Sequence, residues 1–327
     1  MPRQARMDAP GTLHHVIIRG LDRGKIVADE VDREMFVVRL GVVARATRTA
    51  VYAWAVLPNH VHLLVRSGPA GLPPFMRRLL TGYAITFNHR HRRYGHLFQN
   101  RYKSILCEED SYFRELVRYI HLNPIRAGLV PDLAGLDRYP WCGHAAVMGR
   151  VAQPWQDRRY VLAWFGGSPY RALRAYRQYL REGIPLGRRP ELVGGGLVRS
   201  LGGWAEVRAM RRRGTRVVSD PRVLGTGAFV ERLLEVADGA LKAGRLREQG
   251  LHEGTKVIRT ACARAGITPE ELRAGSRRAC ISSVRAEVAR HLVTDLGLSL
   301  ADTARQLGVS TSAISRVVGR RGQGKSI

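Results

Sequence analysis

The stretch Val51-Tyr52-Ala53-Trp54-Ala55-Val56-Leu57-Pro58-Asn59-His60-Val61-His62-Leu63-Leu64-Val65-Arg66 decides how this chain is read. Two apolar runs flank Leu57-Pro58-Asn59, so Val51 to Val56 and His60 to Arg66 are expected as strands joined by a hairpin-like turn. Side chains at i and i+2 of a strand point to the same face. His60 and His62 therefore share one face of a strand that is otherwise apolar. A buried imidazole needs a hydrogen-bond partner, and two neighbouring ones are hard to satisfy inside a sheet. The pair is either hydrogen-bonded within the sheet or shares one divalent ion.

Outward from this hairpin, Thr12 to Arg19 reads as a strand rich in Val and Ile. Asp29 to Arg48 carries apolar residues at helical spacing (Val31, Met35, Val38, Val42), with Asp29 placed to cap the start. Leu72 to about Arg92 is a second helix, Arg101 to Cys107 a fourth strand, and Ser111 to Asn123 a third helix. Asn123-Pro124 ends that helix, because proline disfavours αR in the residue before it. The order β-α-β-β-α-β-α predicts an α+β fold, a ferredoxin-like (RRM-like) open antiparallel sheet with helices on one face and an added helix. Residues 1–150 are expected to form this domain, with Val130 to Ala152 wrapping onto it. Residues 151–227 are expected as a helical segment (Asp157 to Gly183) and a linker marked by Gly194-Gly195-Gly196, Gly202-Gly203 and Arg211-Arg212-Arg213. Residues 228–327 are expected to be helical throughout.

Composition points to a polyanionic partner. Lys and Arg total 54 against 27 Asp and Glu, a net charge of +27 and a pI near 11.2. Arginine dominates, and its planar fork suits phosphates and guanine edges, so DNA or RNA is the expected partner. No apolar run reaches the length of a membrane-spanning helix. The start, Met1-Pro2-Arg3-Gln4-Ala5-Arg6, lacks the apolar core of a signal peptide, so a cytoplasmic protein is expected. Cys107, Cys142, Cys262 and Cys280 form no CxxC pair and read as reduced thiols rather than a disulfide framework or zinc site.

Leu300 to Val318 has a helix-turn-helix pattern. Ala304 allows close approach of two helices, Gly308 takes the turn, and Ile314 and Val317 pack inward. Ser312, Ser315 and Arg316 then face outward, as groups that suit a major groove of duplex DNA.

In the third helix, Tyr119 and Asn123 lie one turn apart on one face. A tyrosine beside a two-histidine metal site is the part list for phosphodiester transfer through a covalent intermediate. Asn123 can supply an oxygen ligand, since hard divalent ions prefer oxygen. Tyr112, two turns before Tyr119, is the second candidate nucleophile, and His121 is expected to be structural or to contact DNA. The cluster His89 to His96 reads either as a solvated helix end or as a phosphate-contacting loop. Arg92 and Arg93 within it, and Arg101 and Lys103 at the fourth strand, are the candidate contacts to a single strand.

His60-Val61-His62 with Tyr119 downstream resembles the HUH-type single-tyrosine transposases. Trp54 to His62, Arg118-Tyr119-Ile120-His121-Leu122-Asn123-Pro124, Leu97 to Tyr102 and Tyr139-Pro140-Trp141 resemble the REP-associated tyrosine transposases within the IS200-like group. The resemblance covers about residues 10 to 150, and the region Leu300 to Arg316 resembles the DNA-binding domain of the replication initiator DnaA. It implies a metal-dependent endonuclease and strand transferase that cuts single-stranded DNA near a hairpin. A 5′-phosphotyrosine would form on Tyr119, with Mg²⁺ or Mn²⁺ held by His60, His62 and Asn123. Related transposases carry Gln where this chain has Asn123. A DNA-binding regulator that keeps the fold without the chemistry is the alternative, and monomer or homodimer is left open.

Overall fold

Apolar alternation and caps place the first seven elements close to where the sequence puts them. In the computed structural model, which describes residues 8–99, 102–187, 189–194, 218–276 and 278–319, these are β1 (Leu13–Arg19), α1 (Glu30–Thr47), β2 (Ala50–Val56), β3 (His60–Arg66), α2 (Leu72–Arg90), β4 (Lys103–Cys107) and α3 (Glu109–His121). Asp29 caps α1, its carboxylate accepting from the Asp32 amide at 3.0 Å. A two-residue strand, β5 (Val223–Leu224), completes a sheet of order β2-β3-β1-β4-β5. The pairs β1/β3, β1/β4 and β2/β3 are antiparallel, while β4/β5 is parallel. The fold is mixed α+β, and the four longer strands have the expected ferredoxin-like order.

Helices cover both faces rather than one. Val16, Ile18, Trp54, Val61 and Leu63 pack against Phe36 and Leu40 of α1 and Phe75 and Leu79 of α2. Leu13, Ile17, Ala55, Leu64 and Ile105 form a second core with Phe113, Leu116, Val117 and Ile120 of α3. The stripe that suggested α1 is not its buried face: Val31, Val38 and Val42 are exposed, and Phe36, Val37, Leu40 and Val43 go inward. Both sets satisfy helical spacing, and only packing against the sheet chooses between them.

The chain divides into two compact units, residues 1–237 and 238–327, so the first does not stop near 150. After α3 come the short helices α4 (Asn123–Arg126), α5 (Leu133–Arg138), α6 (Gly143–Val147) and α7 (Arg158–Ala163), then α8 (Pro169–Gly183). Val161 and Leu162 of α7 and Tyr176 and Leu180 of α8 are buried in the α3-side core. The segment before α6 joins the edge of β2, with the Val56 amide donating to the Trp141 carbonyl at 3.0 Å. Of the sequence expected as a linker, Gly195, Gly196, Gly202, Gly203 and Arg211 to Arg213 lie outside the described residues.

The second unit contains most of α9 (Gly227–Arg264) together with α10 (Pro269–Arg273), α11 (Ala279–Thr294), α12 (Leu300–Leu307) and α13 (Thr311–Gly319). Ile258, Leu272, Val288, Leu292, Leu307 and Ile314 form its core. Gly308 takes the turn between α12 and α13 with φ +66°, where a Cβ would come within 2.3 Å of the Arg273 carbonyl oxygen. Ser312, Ser315 and Arg316 are exposed on α13, opposite buried Ile314. Among the described residues the four cysteines are free, and no helix is long and apolar enough to cross a membrane.

Candidate active site

Antiparallel register brings the site together before any side chain is considered. Ile17 lies opposite His62 and Arg19 opposite His60. His15, Ile17 and Arg19 thus share a face with His60 and His62, the face covered by α3. Tyr119, in the last turn of α3, descends onto that face. Its ring centre lies 5.6 Å from that of His62 and 5.8 Å from that of His15. The His60 and His62 ring centres are 5.1 Å apart. A cavity of about 610 Å³ opens here, lined among others by Arg19, His60, Tyr119, Asn123, Arg126 and Arg189.

Hydrogen bonds determine which atoms face this cavity unpartnered. The Nδ1 of His60 pairs with Asn59 Oδ1 at 2.7 Å, and because an amide oxygen only accepts, His60 carries its proton on Nδ1. His62 Nδ1 pairs with His15 Nε2 at 3.0 Å, and His15 Nδ1 with the Leu192 carbonyl at 2.9 Å. The amide of Asn123 donates to the Tyr119 and Ile120 carbonyls at 3.0 and 3.4 Å, which leaves Oδ1 as its unused atom. Burial pushes the imidazoles of His60 and His15 down to about 4, with Arg19 adding to the effect at His60 and Lys103 at His15. Burial and the neighbouring histidines hold His62 well below the usual range. All three are neutral at pH 7, the form in which imidazole binds a metal.

Two imidazole nitrogens and one amide oxygen suit a divalent ion that completes its shell with water or phosphate oxygens. Among the described residues no group of three His, Cys, Asp or Glu side chains is placed to hold an ion. An amide third ligand falls outside that set of donors.

Other site residues expected from the sequence distribute unevenly. Tyr112 is half-buried in the α3-side core and does not line the cavity. His121 is fully buried, its Nδ1 paired with Tyr176 Oη at 2.8 Å, and its side chain has no exposed surface. Lys103 donates to the Val193 carbonyl at 2.6 Å, which ties the segment 190–193 to β4. Arg92 and Arg93 are exposed beyond the end of α2 and do not line the cavity. Their neighbours Arg90 and His91 are engaged by Asp29 and Asp32, so that part of the cluster is structural. Arg101 lies outside the described residues.

Three contributors escaped sequence reading. Arg126 reaches back along α4 so that its guanidinium carbon lies 5.3 Å from the Tyr119 ring centre, with a 3.2 Å bond from Nη1 to the Tyr119 carbonyl. Its position seven residues after Tyr119, two helical turns, was the available signal. His15 was signalled by a histidine pair in an otherwise apolar strand. Arg189, paired with Glu115 and Glu191, had no local signal because it arrives from beyond α8.

Residues 11–123 match the protein family described as Transposase IS200 like. This IS200-like region runs from just before β1 to Asn123, and so contains both histidines and Tyr119. Among solved structures, the chain is similar to a REP-associated tyrosine transposase bound to a REP hairpin, with 19% identity over 48% of this chain and 90% of that one and a TM-score of 0.38. It is also similar to a putative transposase from Deinococcus radiodurans R1, with 21% identity over 35% and 92% of the two chains and a TM-score of 0.27. No curated protein matches the chain.

Proposed function

We propose that the first unit is a single-tyrosine DNA transposase, a metal-dependent endonuclease and strand transferase acting on single-stranded DNA near a hairpin. The observation that carries this reading is the convergence of Tyr119, His60 and Asn123, from α3, β3 and α4, on one cavity, with the buried His62 ring centre 5.6 Å from that of Tyr119 and 5.1 Å from that of His60. The match of residues 11–123 to the IS200-like transposases supports it. Mg²⁺ or Mn²⁺ bound by His60, His62 and Asn123 would polarise the scissile phosphate and offset charge developing on its oxygens. Tyr119 acts as nucleophile: its oxygen forms the bond to phosphorus as the bond to the 3′ oxygen breaks. The phenolic proton passes to solvent, and the leaving oxygen takes a proton from solvent to become a free 3′ hydroxyl. Arg126, beside the Tyr119 ring, favours the phenolate, and Arg19 adds positive charge where the strand must pass.

Incubation with labelled single-stranded hairpin oligonucleotides and Mn²⁺ should trap a covalent adduct that survives denaturation. Peptide mapping should place the nucleotide on Tyr119. An adduct on Tyr112, or none with any hairpin in a diverse pool, would overturn the reading.

The second unit is proposed to read duplex DNA through Ser312, Ser315 and Arg316 of α13, exposed beyond the Gly308 turn. Arg316→Ala should cost about 1–3 kcal/mol on a preferred duplex and almost nothing on random sequence. Equal losses on both would reduce Arg316 to a phosphate contact.

A further inference from the structure

The strand β1 holds a second histidine, and its hydrogen bonds reach His62 from behind. We propose that His15 is a positioning residue that sets the tautomer of His62, relaying the Leu192 carbonyl through its own ring so that His62 presents a bare Nε2 to the metal. The inference rests on the metal-binding reading above and goes beyond it, because His15 touches neither the cavity nor substrate.

What each atom can donate or accept fixes the protonation of both rings. A carbonyl oxygen only accepts, so His15 must carry a proton on Nδ1 to bond Leu192 at 2.9 Å. A neutral imidazole has one N–H, so His15 Nε2 is an acceptor. His62 Nδ1, 3.0 Å away, must then be the donor. A neutral His62 with its proton on Nδ1 leaves Nε2 as a lone pair, and no hydrogen bond uses that nitrogen among the described residues. His60 reaches the same tautomer through half-buried Asn59, whose Nδ2 donates to the Arg23 carbonyl at 3.3 Å. The His62 relay is more deeply buried. His15 is fully buried, its ring stacks on His62 with centres 5.3 Å apart, and Leu192 is itself anchored in the core. Partners of this kind, behind a ligating histidine, commonly change metal affinity by about 10–100-fold when removed. The acceptor also lies 177 residues along the chain from His15. A metal-competent first unit therefore needs the segment 190–193 in place.

The test is run on the full chain. Nitrogen-15 spectra of the metal-free protein should show His62 protonated on Nδ1, and a ring protonated on Nε2 would overturn the proposal. His15→Leu should convert His62 to a mixture of tautomers and weaken Mn²⁺ binding, measured by electron paramagnetic resonance, by about 10–100-fold. His15→Gln, whose amide can donate to Leu192 and accept from His62, should restore most of that affinity. Unchanged tautomer and Mn²⁺ affinity in His15→Leu would refute the relay. Should His15→Leu fail to fold, the wild-type spectrum and His15→Gln decide. Absence of Mn²⁺ binding in the wild-type protein would instead remove the metal reading, while the tautomer of His62 would still decide the relay.

Discussion

Adjacent histidines on β1 point to opposite faces of one sheet, and they are treated differently. His14, on the side of α1 and α2, has both ring nitrogens engaged by hydroxyls, Thr12 at 2.8 Å and Ser104 at 3.0 Å. The face around it is apolar, Val16, Ile18, Trp54, Val61 and Leu63. On the α3 side, His60 and His62 each have one nitrogen engaged and one bare, beside a tyrosine and four cavity-lining arginines. Burial alone therefore does not mark a functional histidine. His60 differs in having a ring nitrogen without a hydrogen bond among the described residues while lining the cavity.

The largest expected effect breaks the α3 side. His62→Ala should lower the rate of adduct formation by on the order of 10³-fold while the protein still melts cooperatively, as scanning calorimetry would show. A rate within tenfold of wild type would put His62 with His14 as a structural histidine. The converse is expected on the other face. Leu63 is fully buried there, and Leu63→Ala should lower the unfolding free energy by about 2–5 kcal/mol. The adduct rate per folded molecule should not change, and a large drop at a temperature where the variant is folded would erase the division of labour between the faces.

Arg126→Ala should slow adduct formation by about 10–100-fold, because a cation beside the ring is lost where negative charge develops. Single-turnover kinetics at saturating DNA isolate this from weaker binding, and an effect confined to binding would make Arg126 a phosphate contact.

The smallest effect concerns pH. Burial lowers His14 from 6.5 to about 4. The Asp8 carboxylate, 3.8 Å away, does not offset that desolvation. The unfolded chain then binds a proton that the folded chain refuses, so stability is full above about pH 6.5 and is lost as pH falls toward 4. His14 should contribute on the order of 1 kcal/mol to the loss between pH 7.5 and 5. Urea denaturation at the two pH values should show a shallower slope for His14→Gln, and an unchanged slope would mean that His14 is protonated in the folded state.

The sequence by itself determined the succession of strands and helices up to α3, the cap of α1 and the common face of His60 and His62 on β3, whereas the helix break falls at Leu122 and α4 runs through Asn123-Pro124. The first three follow from local periodicity and from rules acting over a few residues, which neighbours in the chain are sufficient to express. It left undecided which of two helical stripes α1 buries, because Val31, Val38 and Val42 and Phe36, Leu40 and Val43 both fit a helical period. Only tertiary structure brought Arg189 and the Leu192 carbonyl to β1 and β3, and added β5 to the sheet edge. It alone extended the first unit to residue 237. Contacts between groups 47 and 177 residues apart depend on register and packing, which no local pattern encodes. The candidate site's residues lie in short motifs, and the hydrogen bonds of its histidines are set by what packs behind them.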